Sequence, residues 1–310
     1  ISMKHEQRLW GELYEFFDAS LDRSEIRLHE PLGEKTTYRS GGVCNIYIEV
    51  GTENDLQVIA NRVLDLNIPI AVLGNGSNLL VSDNGFSGLI LRLGPEFKSL
   101  SIEGKTVFAG AAAILPVVAR RTVAAGLTGF EWAVGVPGSM GGAVRMNAGG
   151  HGSDMSRSVS RVEGIGLDTG DYFSLSLDQL RFSYRNSSIA SSQAITKVVL
   201  ELKEGNTNES ERELSEIVRW RVENQPGGQN AGSVFTNPEN ESAGRLIDAA
   251  GCKGLRIGTA YVSEKHANFI QVDHGGNSED VAALIEEIRN QVFEKFGIEL
   301  NCENHLLGFG

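Results

Sequence analysis

At 310 residues the chain has room for two or three domains and a sizeable core. Hydrophobic residues make up 41% and charged residues 22%, an ordinary soluble globular composition, and the formal net charge of −12 argues against broad binding to nucleic acid or anionic membranes. An anionic small ligand would have to be held by local arginines and backbone N–H groups. Cys44, Cys252 and Cys302 are odd in number, widely spaced and form no CxxC, which fits a reducing compartment with each thiol a small core residue. The six histidines show no HExxH or HxH pattern, so no metal is expected. The charged N-terminus lacks an apolar run, so no secretory signal is expected, and Ile1-Ser2 ahead of Met3 reads as an addition. No stretch approaches the roughly 18 apolar residues of a membrane helix, and the expected compartment is the cytoplasm.

In chain order, residues 5–20 read as an amphipathic helix with Leu9, Leu13, Phe16 and Phe17 on one face. Asn45–Val50 alternates like a strand. Thr52 to Asp55 resembles a capping box opening a helix that buries Leu56, Ile59, Val63 and Leu66, and Pro69–Leu73 reads as a short buried strand. The three together suggest a βαβ unit. The second strand runs into Gly74-Asn75-Gly76-Ser77-Asn78, a phosphate-cradling arrangement that is not the dinucleotide fingerprint, because Leu79 fills the third glycine's place and a strand follows. Leu89–Leu93 is a further strand. Residues 98–110 predict a hairpin turning at Glu103-Gly104-Lys105, and Pro116 opens a helix that ends near Gly126.

Gly135-Val136-Pro137-Gly138-Ser139-Met140-Gly141-Gly142-Ala143-Val144-Arg145-Met146-Asn147 is the densest glycine segment. Its interleaved apolar residues predict a buried turn whose bare N–H groups face a flat or anionic ligand. Residues 158–204 alternate like strands, and composition shifts at 204–209, taken as the domain boundary. Beyond it a polar helix is expected over 209–223 and a short helix capped by Ser242 and closed by Gly251. A strand pair follows around Ser263-Glu264-Lys265-His266, then a long helix capped by Ser278 and ended by Gly297, and a final strand at Ile298–Leu300.

Three segments taken together, Thr36 to Gly42, Leu73 to Gly88 and Gly126 to Gly152, resemble the FAD-contacting stretches of UDP-N-acetylenolpyruvoylglucosamine reductases. Tyr184-Arg185-Asn186-Ser187, Ala231–Phe235, Ser263–Phe269 and the terminal Glu303 follow in that family's order, so the resemblance covers about residues 30–308. It implies an α+β fold: a two-subdomain FAD-binding region of the vanillyl-alcohol-oxidase (PCMH-like) kind over 1–205, then a smaller α+β substrate-binding domain over 206–310. It also implies FAD and NADPH as cofactors, a UDP-sugar as substrate, and reduction of an enolpyruvyl ether to the lactyl ether of UDP-N-acetylmuramate for peptidoglycan. A monomer is expected, although the sequence itself is silent on oligomeric state.

Residue by residue, the resemblance makes Arg185, Ser233 and Glu303 the catalytic set. Arg185 would supply charge to the carboxylate of the developing enolate, Ser233 would donate a proton, and Glu303 would help polarise the enolpyruvyl group. Tyr38, Arg39, Ser40, Gly41, Gly74, Asn75, Gly76, Ser77 and Asn78 would hold FAD, with Gly135, Pro137, Gly138, Gly141, Gly142, Ala143, Arg145 and Asn147 along its flavin and adenosine parts. Tyr184 and Asn237 would contact substrate. Glu264, Lys265 and His266 sit in a family motif, with a structural turn as the other reading. Asn186, Thr236 and Asn304-His305 depart from the family's usual Asp, Lys and Val-Arg, and Val43-Cys44 from its usual Pro-Ala. Those departures keep open a catalytically impaired homologue that binds flavin or nucleotide sugar; a related flavin oxidase is the other alternative.

Overall fold

The computed structural model describes residues 3–64 and 66–309, the side chains of residues 3–6 excepted; Ile1 and Ser2 lie outside that range. The chain divides into two compact units. The first comprises residues 1–30, 44–75 and 88–218, and the second residues 31–43, 76–87 and 219–310. The expected break near residue 205 therefore differs from the division of the folded chain. Two short N-terminal segments belong with the C-terminal third, for reasons given below.

In the first unit the helix Met3–Ser20 buries Leu13 and Phe17 completely, each worth about 1.5–3 kcal/mol relative to exposure, whereas Phe16 stays partly exposed. One sheet has the order Glu25–Leu28, Cys44–Val50, Phe86–Leu93, Ile70–Val72, the last two parallel. The strands of the expected βαβ unit are thus not neighbours, because Phe86–Leu93 lies between them. The helix Glu53–Val63 begins as expected, with the Thr52 hydroxyl accepting from the Asp55 N–H at 3.0 Å. A second sheet is antiparallel throughout: Tyr172–Ser176, Val159–Gly166, Gln193–Glu201, Thr106–Gly110, Leu100–Glu103. The hairpin joining its last two strands turns at Gly104 with φ +61°. Strand alternation over 158–204 is interrupted by the short helix Leu177–Leu180 and a loop.

The second unit is built on the three-stranded sheet Arg256–Ile257, Ala260–Val262, Ile270–Val272 and the helices Ala243–Ala250 and Ser278–Phe296. Ser242 caps the first helix, accepting from the Arg245 N–H at 3.4 Å, and Gly251 closes it with φ +86°. Ser278 is not the cap of the second helix: it is already helical and follows Asn277. No strand forms at Ile298–Leu300, although Leu300 is fully buried; the last strand is His305–Leu307, parallel to Leu79–Val81. That ladder is why residues 76–87 belong to this unit. Tyr38 and Leu80 share its core with Phe235, Leu246, Val281 and Ile285. Among the described residues no helix is long and apolar enough to cross a membrane, and no group of three or more His, Cys, Asp and Glu could hold a metal.

Candidate active site

In the first unit the strand Ile70–Val72 runs through Leu73 into Gly74 and Asn75, which line a cavity of about 110 Å³. Leu93, Ala111, Ile114, Ile189 and Ile195 give it apolar walls. Ser139, Gly141 and Gly142, at the start of the helix Met140–Arg145, supply another side. A Cβ on Gly74 would come within 2.6 Å of the Ser139 hydroxyl, so a larger residue there would push that hydroxyl out of its place at the helix start. Arg92, Lys98 and Arg145 also line the cavity, and no carboxylate among the described residues does. Burial lowers the pKa of the Arg145 guanidinium, which has no hydrogen-bond or ion-pair partner among the described residues. A half-buried cation of this kind is costly until an anion meets it.

Part of the expected role of the glycine segment needs correction. The Met140 N–H donates to the Ala113 carbonyl at 2.8 Å, the Gly141 N–H to that of Ala111 at 2.9 Å, and the Gly142 N–H to the Ser139 hydroxyl at 3.4 Å. These donors are not bare; those of Met140 and Gly141 tie the helix start to residues 111–113. Gly141 fits because its Cβ position lies only 3.1 Å from the Ala111 Cβ. Asn75 reaches the Pro137 carbonyl at 3.4 Å. Asn147, buried and at φ +41°, donates to the Ser183 carbonyl at 2.9 Å and accepts from the Ser156 N–H at 3.1 Å. Its amide thereby shapes the loop that presents Tyr184 and Arg185. Arg185 is half-buried at φ +54°, donates to the Gly149 carbonyl at 3.0 Å, and lies 5.3 Å from the centre of the exposed Tyr184 ring.

In the second unit Ser233 follows Gly232, whose φ of +73° turns the chain. The N–H groups of Val234 and Phe235 both donate to Asn268, to its carbonyl and its side-chain oxygen, each at 2.9 Å. The Asn268 amide returns a bond to the Phe235 carbonyl at 2.8 Å. The Ser233 hydroxyl itself makes no hydrogen bond among the described residues. Glu303 is brought alongside, its N–H donating to the Val234 carbonyl at 2.7 Å. The Glu303 carbonyl accepts from Asn78 at 3.0 Å, which joins the glycine turn to the chain's end. Gly76 sits at φ +63°, where a Cβ would strike the Lys35 carbonyl and lie 2.8 Å from the Thr36 Cα; its own carbonyl accepts from the Thr37 N–H at 3.1 Å.

With this geometry in place, likeness to known proteins is decisive. Residues 44–175 match the family described as FAD binding domain, and residues 222–307 the C-terminal domain of UDP-N-acetylenolpyruvoylglucosamine reductase. The reductase of that name from Heliobacterium modesticaldum is 40% identical over 289 residues, 92% of this chain and 92% of the relative. That from Desulforamulus reducens is 39% identical over 294 residues, 93% of this chain and 96% of the relative. The chain belongs to the UDP-N-acetylenolpyruvoylglucosamine reductase family. The crystal structure of the Thermus caldophilus reductase (MurB) agrees, with a TM-score of 0.79 at 36% identity, covering 92% of this chain and 99% of that one.

The reductase family uses FAD, and the first-unit cavity suits it: apolar walls for a planar base, glycine at the close approaches, and three cations without an acid for a diphosphate. Gly74, Asn75, Gly135, Pro137, Gly138, Gly141, Gly142, Ala143, Arg145 and Asn147 all lie in the first unit, with Tyr184 and Arg185. Tyr38, Arg39, Ser40, Gly41, Gly76, Ser77 and Asn78 lie in the second, with Ser233, Asn237 and Glu303. The Tyr38 side chain is fully buried there, so any contact it makes with a ligand is through its backbone. The Ser40 hydroxyl bonds that of Ser278 at 2.8 Å, while Arg39 is exposed at φ +53°. Asn237 accepts from the Ala243 N–H at 3.0 Å at the start of a helix.

The Glu264-Lys265-His266 motif forms a turn in which the Ser263 hydroxyl accepts from the N–H groups of Lys265 and His266 at 3.1 and 3.4 Å. The His266 ring accepts from the Asn268 N–H at 3.2 Å, so the turn orients the asparagine that holds the segment after Ser233. Burial lowers the His266 pKa, which keeps that ring nitrogen an acceptor. Sequence reasoning missed Arg92 and Lys98, and it gave no role to Asn268, which lies in a family stretch, or to Asn304, which stands as a departure. An arginine inside the apolar run Leu89–Leu93 was the available signal for Arg92; nothing local marked Lys98.

Proposed function

We propose that this chain is an NADPH-dependent flavoenzyme that reduces the enolpyruvyl group of UDP-N-acetylglucosamine enolpyruvate to UDP-N-acetylmuramate, for peptidoglycan synthesis. The observation that carries the reading is likeness over nine-tenths of the chain to proteins named for this reaction. Arg185, Ser233 and Glu303 supply the residue types it needs.

Bound FAD, reduced by NADPH, supplies the hydride for the terminal carbon of the enolpyruvyl group. This leaves negative charge on the adjacent carbon and its carboxylate, which Arg185 offsets with a fixed guanidinium. Ser233 donates the proton that the adjacent carbon takes up, and among the described residues its hydroxyl has no partner to give up first. Glu303 helps polarise the enolpyruvyl group. Arg145, with Gly74 and Asn75, holds the diphosphate half of the flavin nucleotide. Gly76, Ser77 and Asn78 act toward the same cofactor, as do Arg39 and Gly41 and the backbone of Tyr38 and Ser40. Tyr184 and Asn237 contact the nucleotide sugar. In functional terms residues 1–205 carry the flavin and 206–310 the substrate, although residues 31–43 and 76–87 fold with the second unit. The protein works as a cytoplasmic monomer with no nucleic-acid or membrane partner.

An absorbance spectrum, anaerobic reduction by NADPH and reoxidation by the enolpyruvyl nucleotide sugar test this directly. Purified protein is expected to be yellow, to bleach with NADPH and to recover colour with substrate. Protein that cannot be loaded with FAD would refute it. Flavin that is reduced but never reoxidised by substrate would indicate an impaired homologue, and oxygen consumption without NADPH an oxidase.

A further inference from the structure

Asn304 directly follows Glu303, and the structure gives its amide work that an apolar side chain could not do. The side chain is buried, 5% exposed. Its Nδ2 donates to Asn78 Oδ1 at 2.8 Å and lies 3.3 Å from the carbonyls of both Ala231 and Ser233. Its Oδ1 accepts from the buried Tyr38 hydroxyl at 3.3 Å. Asn78 completes the ring by donating to the Glu303 carbonyl at 3.0 Å and accepting from the His305 N–H at 3.0 Å. One amide therefore touches the main chain at Ser233, adjoins Glu303 in sequence, and binds the side chain of the glycine turn. All of these residues lie in the second unit. A buried amide with both ends engaged has one low-energy orientation, since turning it over would set its oxygen against two carbonyls.

We infer that Asn304 is a positioning residue, which fixes the main chain of Ser233 and Glu303 against Asn78 of the flavin-binding turn. The inference rests on the proposed roles of Ser233 and Asn78. Its physical content is that proton donation by a weakly acidic hydroxyl depends on holding the oxygen in place, and the Ser233 hydroxyl has no hydrogen bond of its own among the described residues to hold it. Valine at 304 would leave the Ser233 and Ala231 carbonyls and Asn78 Oδ1 without this donor. Aspartate, nearly the same shape, would turn a second acceptor toward them.

The test compares Asn304→Val and Asn304→Asp with the parent as FAD-loaded protein, following the two half-reactions separately by stopped flow. Reduction of the flavin by NADPH should stay within about twofold, while reoxidation by the enolpyruvyl nucleotide sugar slows about tenfold, the worth of one buried hydrogen bond. The solvent deuterium effect on reoxidation should rise, and the Asp variant should be the slower. Apart from turnover, FAD titrated into the apoprotein should bind several-fold more weakly to both variants, because Asn78 has lost its anchor. If the Val variant does not hold flavin, Asn304→Ser keeps a donor without the bulk and should slow reoxidation about threefold, with reduction unaffected. Reoxidation unchanged in these variants, or both half-reactions slowed equally, would overturn the inference. A parent protein whose reduced flavin the substrate cannot reoxidise would instead overturn the functional reading beneath it.

Discussion

Asp83 caps a helix that begins 195 residues later: its carboxylate accepts the Ser278 N–H at 3.1 Å, and its other oxygen accepts the Glu279 N–H at 3.0 Å. Asn277, in the N-cap position, makes no side-chain cap bond, so Asp83 supplies from a distant loop what a local residue ordinarily provides. The same loop binds the helix again through the Ser82 hydroxyl and Glu279 at 2.8 Å. Replacing Asp83 with Ala should destabilise the protein by about 1–2 kcal/mol, from the lost cap and the lost negative charge at the positive end of the helix dipole. Urea unfolding monitored by circular dichroism measures it. An unchanged midpoint would mean that water replaces the cap at no cost.

Ser233→Ala separates proton donation from flavin reduction. The substitution removes only an oxygen that has no hydrogen bond among the described residues, so folding should be unaffected. Reduction by NADPH should remain nearly intact, and the substrate-dependent step should slow by roughly two to four orders of magnitude. Enolpyruvyl reduction at the parent rate would exclude Ser233 as donor.

Gly76→Val probes the turn that both the fold and the flavin depend on. Any side chain at φ +63° would run into the Lys35 carbonyl, and valine adds β-branching to that clash. The variant should lose bound flavin and melt at a lower temperature. Flavin content per mole of folded protein decides the matter, and full occupancy would count against the phosphate-turn reading.

Arg145→Ala should weaken FAD binding about tenfold or more, as expected for one charge-assisted contact to phosphate. The loss should be larger for FAD than for riboflavin, which has no phosphate, and should shrink as salt is raised. Fluorescence quenching on titration of the apoprotein measures both ratios. Equal losses for the two ligands would place Arg145 away from the diphosphate.

Acid should unfold the first unit through two carboxylates. Burial works to raise the Glu131 pKa, but hydrogen bonds from the Ser210 and Thr128 hydroxyls at 2.6 and 2.7 Å and the Gly129 N–H at 2.7 Å outweigh it, so it ends below the ordinary glutamate range. Asp55 follows the same pattern: burial raises its pKa, and the Ser24 hydroxyl with the N–H groups of Asp22 and Arg23 brings it below the ordinary aspartate range. A folded-state pKa below the unfolded one gives stability that is fully present above the unfolded pKa and is lost as pH falls through the folded value. Unfolding free energy should therefore be insensitive to these groups near neutrality and drop on acidification through and below the carboxylate range. Glu131→Gln should be less stable at pH 7 and show a shallower acid limb in urea titrations across pH.

Much of the fold was legible locally, because helices and strands leave their periods within a dozen residues. The hairpin at Gly104, the helix between Ser242 and Gly251 and the strands around Ser263–His266 follow from such patterns. The strand expected at Ile298–Leu300 shows the limit of that reasoning: alternation reports burial, and Leu300 is buried, but a ladder needs a partner strand, and the partner of Leu79–Val81 is His305–Leu307. The bare N–H groups expected along the glycine segment show the same limit, since the donors of Met140 and Gly141 end on Ala113 and Ala111.

By itself the sequence determined the kinds of residue available for chemistry: a serine in a glycine turn, an arginine beside a tyrosine, a glutamate near the end, and glycines where a backbone must come close. Tertiary structure alone decided which of them meet. Asn78 and Glu303 lie 225 residues apart in the chain and share a hydrogen bond, and Tyr38 joins a core whose other members lie mostly beyond residue 230. The physical reason is that a buried polar group must find a partner wherever the folded chain puts one, and no local pattern records who that partner is. Asn304, which in the sequence was only a departure from valine, became the residue that binds Asn78 and the main chain of Ser233.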